Sequence, residues 1–268
     1  MPRVYQHQDQ LLAATADAEA RHFWFRGFRR FVTPLLIRAV EGRSAPRLLD
    51  CGCGTGRNLA LIARYGRAFG FDYTSSGLRA GIRAGRHGLV QATAAAVPFA
   101  DATFDVVTSF DMLQVLPDAV EADAIAEMAR VLKPGGALVV NVAAMRVLHG
   151  HHALLWEEAR RYTREDLRVK LAAAGFTIAS MTHTNATLFP LMLAVRAAQR
   201  LQGAEARVAD IAIPPAPINA LLTGLLAGGE GHPASLDADR QLHTLPCAQG
   251  LGDSLGLRRR TIQAAKTV

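Results

Sequence analysis

Cysteine is scarce in this chain of 268 residues: there are three, at positions 51, 53 and 247. Cys51 and Cys53 are separated by a single glycine, too close to brace a fold, so a disulfide framework is excluded and a reducing cytosol is expected. Lysine is also rare. Lys133, Lys170 and Lys266 are the only lysines among 30 cationic residues, an arginine bias that reads as genome composition and not as recognition chemistry. Long apolar runs are missing too. The longest, Leu188 to Ala198, is broken by Pro190 and Arg196 and falls short of the ~20 residues that a membrane span needs. The first ten residues, Met-Pro-Arg-Val-Tyr-Gln-His-Gln-Asp-Gln, hold no apolar core, so no signal peptide is expected. Together these absences predict a cytoplasmic protein with no membrane span.

Half of the chain is hydrophobic and 20% is charged, with mean hydropathy +0.13. That balance excludes a disordered or fibrous chain. The length suits one α/β domain with an appended cap better than two complete domains. The formal charge is +7, but Arg258, Arg259, Arg260 and Lys266 carry four of those charges in a short tail. The remainder forms no basic stripe along the sequence, so nucleic acid is not expected as a partner.

Apolar and aromatic positions at helical spacing (Leu11, Leu12, Phe23, Phe25, Phe28, Phe31, Leu35, Leu36) predict two N-terminal helices with a break near Gly27 or Pro34. Arg47–Asp50 reads as a buried strand entering a glycine-rich turn. Helix and strand then alternate: a helix over Asn58–Tyr65, a strand over Ala68–Asp72, and a helix over Ser75–Ala84. A weak strand at Leu89–Ala92 and a strong one at Phe104–Phe110 follow. Next come a helix over Glu121–Leu132, stopped by Lys133-Pro134-Gly135-Gly136, and an apolar strand over Ala137–Val142. Thr163–Asp166 looks like an N-cap and first turn for Leu167–Ala174, and Phe176–Met181 is a further strand. This order predicts a doubly wound, Rossmann-like, mostly parallel α/β sheet. The expected layout is an N-terminal helical cover (1–44), the Rossmann-like domain (45–186), a helical cap (187–227) and an irregular tail (228–268).

The chemistry concentrates at Asp50-Cys51-Gly52-Cys53-Gly54-Thr55-Gly56. Glycines at 52, 54 and 56 permit a sharp turn and a close ligand approach. The spacing is G-x-G-x-G after an acid. Arg57 stands where the dinucleotide fingerprint G-x-G-x-x-G needs glycine, which argues against NAD. A pyrophosphate is repelled by a carboxylate beside the turn, whereas an ammonium or sulfonium is attracted by one, and Asp50 supplies it. Asp72, sixteen residues past Gly56, ends the next strand, where a carboxylate can accept two hydrogen bonds from a ribose diol. Cys51 and Cys53 read as small buried residues beneath a ligand, not as a metal pair.

In these motifs the chain resembles the class I S-adenosylmethionine-dependent methyltransferases, and within them the type 11 group. The likeness covers residues ~20–220 in order. It runs through His22–Arg26, Leu49–Gly56, Val97–Asp105, Ala129–Gly136, Arg160-Arg161-Tyr162 and Asn185 with Leu188-Phe189-Pro190. The resemblance implies S-adenosylmethionine as cofactor, with Asp50, Gly52, Cys53, Gly54 and Gly56 around the methionine part. It also implies Asp72 at the ribose, Tyr73 on the adenine, Thr93-Ala94 at the adenine amine, and Phe110, Asp111 and Gln114 along the methionine side. Where relatives read Asp-Val-Leu-Glu-His, this chain has Asp111-Met112-Leu113-Gln114-Val115. Val115 cannot perform a histidine's acid–base work.

The expected activity is methyl transfer to a small-molecule acceptor, with no triad or metal required. His152 and His149 are the candidates for a general base, because an imidazole titrates near neutral pH. Ala153 replaces the Asp that relatives pair with such a His, and a solvated loop is the plainer reading of His149–His152. Arg160, Arg161, Trp24 and Arg26 are weaker candidates for cap or substrate contacts. The Leu188–Leu201 helix reads as a cap or a homodimer face. A protein that binds the cofactor without transferring methyl is the alternative, and an NAD-dependent oxidoreductase is a more distant one. After Gly228 nothing reads as the apolar strand with which relatives close the sheet, so one sheet edge is expected to be unpaired.

Overall fold

The computed structural model describes residues 19–145, 158–184, 188–202, 213–228 and 260–267. Helix α1 (Phe23–Val40) opens the ordered core, and strand β1 (Arg47–Cys51) enters the glycine turn. The alternation continues through α2 (Leu59–Ile62), β2 (Arg67–Asp72), α3 (Ser75–Arg83) and β3 (Leu89–Gln91). Strand β4 (Phe104–Phe110), a 3₁₀ turn at Leu113–Val115, α4 (Asp118–Val131) and β5 (Leu132–Ala143) follow. The remaining elements are α5 (Arg164–Ala173), β6 (Phe176–Thr184), α6 (Phe189–Gln202), α7 (Ala216–Gly228) and β7 (Arg260–Thr267).

The sheet has the order β3-β2-β1-β4-β5-β7-β6, and every pairing in it is parallel. Parallel strands covered on both faces must be apolar throughout, and Leu48, Leu49, Val106, Val107 and Leu138–Val140 are all fully buried. Two apolar clusters flank the sheet. One gathers α1 and α2 (Val32, Leu35, Leu36, Leu59, Ile62), and the other gathers α4 and α5 (Ile125, Met128, Leu167, Leu171). No helix among the described residues is long and apolar enough to cross a membrane.

Three expectations need correction. The N-terminal break falls at His22, whose ring nitrogen caps α1 by accepting from the Trp24 N–H, and not at Gly27 or Pro34. Helix α1 runs through Pro34 without interruption. Gly27 is instead a close-approach site, because a Cβ there would stand 2.5 Å from Leu226 of α7. Second, Lys133-Pro134-Gly135-Gly136 does not separate α4 from the next strand. β5 starts at Leu132, and the four residues are absorbed as a register jump between Phe104↔Leu132 and Val106↔Ala137. Third, the tail is not irregular throughout. Residues 260–267 form β7, hydrogen-bonded to β5 on one side and β6 on the other. Its sequence, Arg-Thr-Ile-Gln-Ala-Ala-Lys-Thr, lacks an apolar run because two backbone ladders, not side-chain patterning, define it.

Several motifs behind the family resemblance turn out to hold the fold. The Arg130 guanidinium donates to the Phe99 and Val97 carbonyls at 2.8 and 2.9 Å, while Glu127 accepts the Val97 N–H at 2.7 Å. Lys133 donates to Asp105 at 2.9 Å. Thr163 and Asp166 form the expected capping box at α5.

Candidate functional site

Four strand ends, β2, β1, β4 and β5, lie side by side at one edge of the sheet. There β1 passes into Gly52-Cys53-Gly54-Thr55-Gly56, with the three glycines at φ +72°, +54° and +71°, a region that side-chain-bearing residues enter only at a cost. Gly52 is required for space as well, since a Cβ would come within 2.7 Å of the Met112 side chain. The turn hangs from β2: the N–H groups of Gly52 and Cys53 donate to the Phe71 carbonyl at 3.0 and 2.9 Å.

Asp72 is locked into this turn. Its Oδ2 accepts the Gly54 N–H at 2.7 Å, and its Oδ1 accepts from the Thr74 N–H at 2.8 Å and from the Thr74 hydroxyl. A carboxylate offers about four acceptor sites, so these donors fix its orientation. Ala92 donates its N–H to the Asp72 carbonyl at 3.0 Å, which brings Thr93 and Ala94 beside Asp72 and Tyr73. Thr93 is exposed and Ala94 buried.

Asp50 lies under the turn, not beside the ligand space. It is 1% exposed and accepts the Thr108 hydroxyl at 2.7 Å. Burial raises its pKa to about 7 against the opposing Thr108 bond, and the nearby Asp72 charge adds to the rise. Its influence on a ligand is therefore exerted through charge. Cys51 and Cys53 are buried free thiols, pushed well above the usual range by burial. Among the described residues no group of His, Cys, Asp and Glu could hold a metal ion.

At the end of β4, the Phe110 ring meets Phe28 of α1 edge-on, centroids 5.1 Å apart. Asp111 follows at φ +57°, unusual for a residue with a side chain. Its Oδ1 accepts from Asn141 Nδ2 at 2.8 Å and from Gln114 Nε2 at 3.2 Å. The residue as a whole is exposed, yet protein atoms crowd its carboxyl. That enclosure raises its pKa to about 6, opposed by the Gln114 bond and aided by the Glu158 charge. Gln114 is 4% exposed, and among the described residues its Oε1 has no hydrogen-bond partner. Above it, Arg160 donates to the Leu113 carbonyl at 2.8 Å, and Arg161 pairs with Glu158 at 2.9 Å.

The fold thus gathers Asp50, Gly52, Cys53, Gly54, Gly56, Asp72, Tyr73, Thr93, Ala94, Phe110, Asp111 and Gln114 along one edge. His149 and His152 lie outside the described residues, as does Asn185. Sequence reasoning missed Thr74, Thr108, Met112, Asn141 and Glu19. The spacing of Asp72 and Thr74 is a local turn signal that could have revealed Thr74. Thr108 reaches Asp50 only through the β1–β4 register, and Glu19 accepts the Thr55 hydroxyl at 2.7 Å across the glycine turn. Neither contact has a local trace in the sequence.

Residues 49–140 match the family model described as a methyltransferase domain. Over that stretch the chain is similar to methyltransferase domains. A probable S-adenosylmethionine-dependent methyltransferase of Mycolicibacterium smegmatis is 35% identical over 127 residues, 45% of each chain. The demethylmenaquinone methyltransferase of Thermobifida fusca is 36% identical over 121 residues, 42% of this chain and 50% of that protein. The chain therefore spans about half the length of these relatives. The solved structure of the cyclase SpnF superposes with a TM-score of 0.56 at 22% identity, over 85% of this chain and 89% of the other, which shows a shared fold.

Proposed function

We propose that the protein is a methyltransferase that uses S-adenosylmethionine to methylate a small-molecule acceptor. The observation that carries this reading is an excess of acceptors at one sheet edge. Asp72 and Asp111 border it, the Asp50 carboxyl lies beneath, and the Gln114 Oε1 has no partner among the described residues, while Arg161 is already paired with Glu158. Such an edge suits a ligand that brings positive charge and hydrogen-bond donors, and it repels the pyrophosphate of NAD.

S-adenosylmethionine, when bound, supplies an already activated sulfonium methyl group. Asp72 would accept the ribose hydroxyls, Gly52 to Gly56 would let the backbone approach the methionine part, and Gln114 would receive its ammonium. Tyr73, Thr93 and Ala94 would border the adenine. The protein's remaining task is alignment, which can supply up to ~7–11 kcal/mol of a barrier in favourable cases. For an acceptor that must lose a proton, His152 or His149 is the base. The relative named for demethylmenaquinone supports a small aromatic or quinol acceptor.

The test is transfer of labelled methyl from S-adenosylmethionine to a panel of phenols, quinols, amines and carboxylates. Label in one acceptor class, abolished by Asp72→Ala, supports the reading. Cofactor binding with no transfer to any class would favour a protein that binds without transferring.

A further inference from the structure

Opposite the core-facing side of α1, the residues Arg26, Arg29, Arg30 and Thr33 fall at helical spacing on one stripe. With Leu61 of α2 and Arg64 just beyond it they line a recess of about 400 Å³. Four guanidinium groups thus face a single concavity. Arg26, Arg30 and Arg64 are exposed, and among the described residues their side chains form no hydrogen bond or ion pair. Arg29 donates to the Glu19 carbonyl at 3.0 Å, and Arg86, which is not part of the lining, donates to the Thr55 carbonyl at 2.7 Å.

The cluster repels itself. Arg29 is held below the usual arginine range by burial, with the charges of Arg57 and Arg26 adding to the effect against Glu19. Arg86 is lowered in the same way by burial and by Arg57. Glu19 is the carboxylate that acts on Arg29 among the described residues, and burial raises its own pKa against the Thr55 bond and the neighbouring arginine charges. Arginine bias alone would scatter guanidinium groups over the surface with acids interspersed. Here they converge on one hollow, and among the described residues that line it there is no acid.

We propose that this recess binds a phosphate-bearing small molecule, with a diphosphate as the minimal ligand. A guanidinium is a planar fork whose geometry matches phosphate oxygens. Four such groups need more than one negative charge to balance them, which favours a diphosphate over a single carboxylate. The volume lies in the range of small-ligand pockets, and the four lining guanidinium groups converge on one hollow. Both features favour a small molecule over a nucleic acid strand. The recess is separate from the acceptor-rich cleft, to which it is joined through Glu19 and the Thr55 hydroxyl.

Calorimetric titration of the full chain with pyrophosphate tests this, with sulfate and chloride at matched ionic strength for comparison. The variants are Arg30→Glu with Arg64→Glu, Arg64→Ala alone, and Arg79→Glu on the exposed face of α3 as an off-site control. Saturable pyrophosphate binding is expected in the wild type and in Arg79→Glu. A loss of roughly tenfold is expected in Arg64→Ala, and a larger one in the double variant. Absence of saturable binding in the wild type would overturn the proposal. So would equal weakening in Arg79→Glu, or equal binding of sulfate. A single-stranded oligonucleotide that outcompetes pyrophosphate in the wild type would also overturn it, in favour of a polymer site.

Discussion

Asp50 shows how a single buried carboxyl couples stability to ligand charge. Its folded pKa of about 7 stands above the unfolded value of 3.8, chiefly through burial. The folded state thus prefers the protonated form, so this group's contribution is fully present below about pH 4 and is lost as pH rises through 7. The loss is on the order of 4 kcal/mol at most. Asp50→Asn keeps an oxygen for the Thr108 hydroxyl and cannot ionise. Its melting temperature relative to wild type is expected to be higher at pH 8 than at pH 5, measured by thermal unfolding across that range. A constant offset at both pH values would contradict the assignment. At this scale the sequence was informative wherever spacing was local: the glycine turn, Asp72 and the Thr163–Asp166 cap could all be read directly. It was silent on Thr108, whose partner lies 58 residues away, and it placed Asp50 beside the ligand because burial depth leaves no mark on a strand end.

At the scale of elements, Glu121 joins three segments. It is 2% exposed and accepts the Tyr162 hydroxyl at 2.6 Å and Lys170 Nζ at 2.8 Å, with Arg160 Nε at 3.5 Å. Helix α4 is thereby tied to α5 and to the segment that returns along β5, where the Tyr162 N–H donates to the Ala143 carbonyl at 3.0 Å. Glu121→Leu would leave the Tyr162 hydroxyl and the Arg160 guanidinium without their buried partner. It is expected to cost about 3–5 kcal/mol in denaturant unfolding, whereas Glu121→Gln keeps an acceptor for Tyr162 and costs less. Equal small losses in both would show that the hub is not a stability centre. Gly27→Val tests the α1–α7 contact. A side chain there meets Leu226, so a loss of roughly 1–3 kcal/mol is expected, and unchanged stability would mean that α7 shifts freely. In the sequence Glu121 read only as the start of a helix, because its partners lie 41 and 49 residues away. Strand β4 was legible to the residue from its aromatic and β-branched residues, while β7 was hidden because its neighbours, not its composition, make it a strand.

Across the whole molecule, the sheet order brings the strand ends carrying Asp50 and Asp111 to one edge, and their raised pKa values predict proton release on binding. Between about pH 6 and 7 part of the Asp50 and Asp111 population is protonated. An arriving ammonium and sulfonium favour the ionised forms, so protons should leave. The observed enthalpy at pH 6.5 is then expected to vary with the ionisation enthalpy of the buffer, and the variation should fade above pH 8. A buffer-independent enthalpy at pH 6.5 would show that neither carboxyl senses the ligand. The most direct test of the central claim is calorimetric titration with S-adenosylmethionine, its demethylated product and NAD, in the wild type and in Asp72→Ala. Micromolar binding of the first two is expected, weakened roughly tenfold or more in the variant by the loss of charge-assisted bonds worth about 1.5–3 kcal/mol each, with no comparable affinity for NAD. Folded wild-type protein that binds neither adenosyl ligand, or that binds NAD as tightly, would contradict the account.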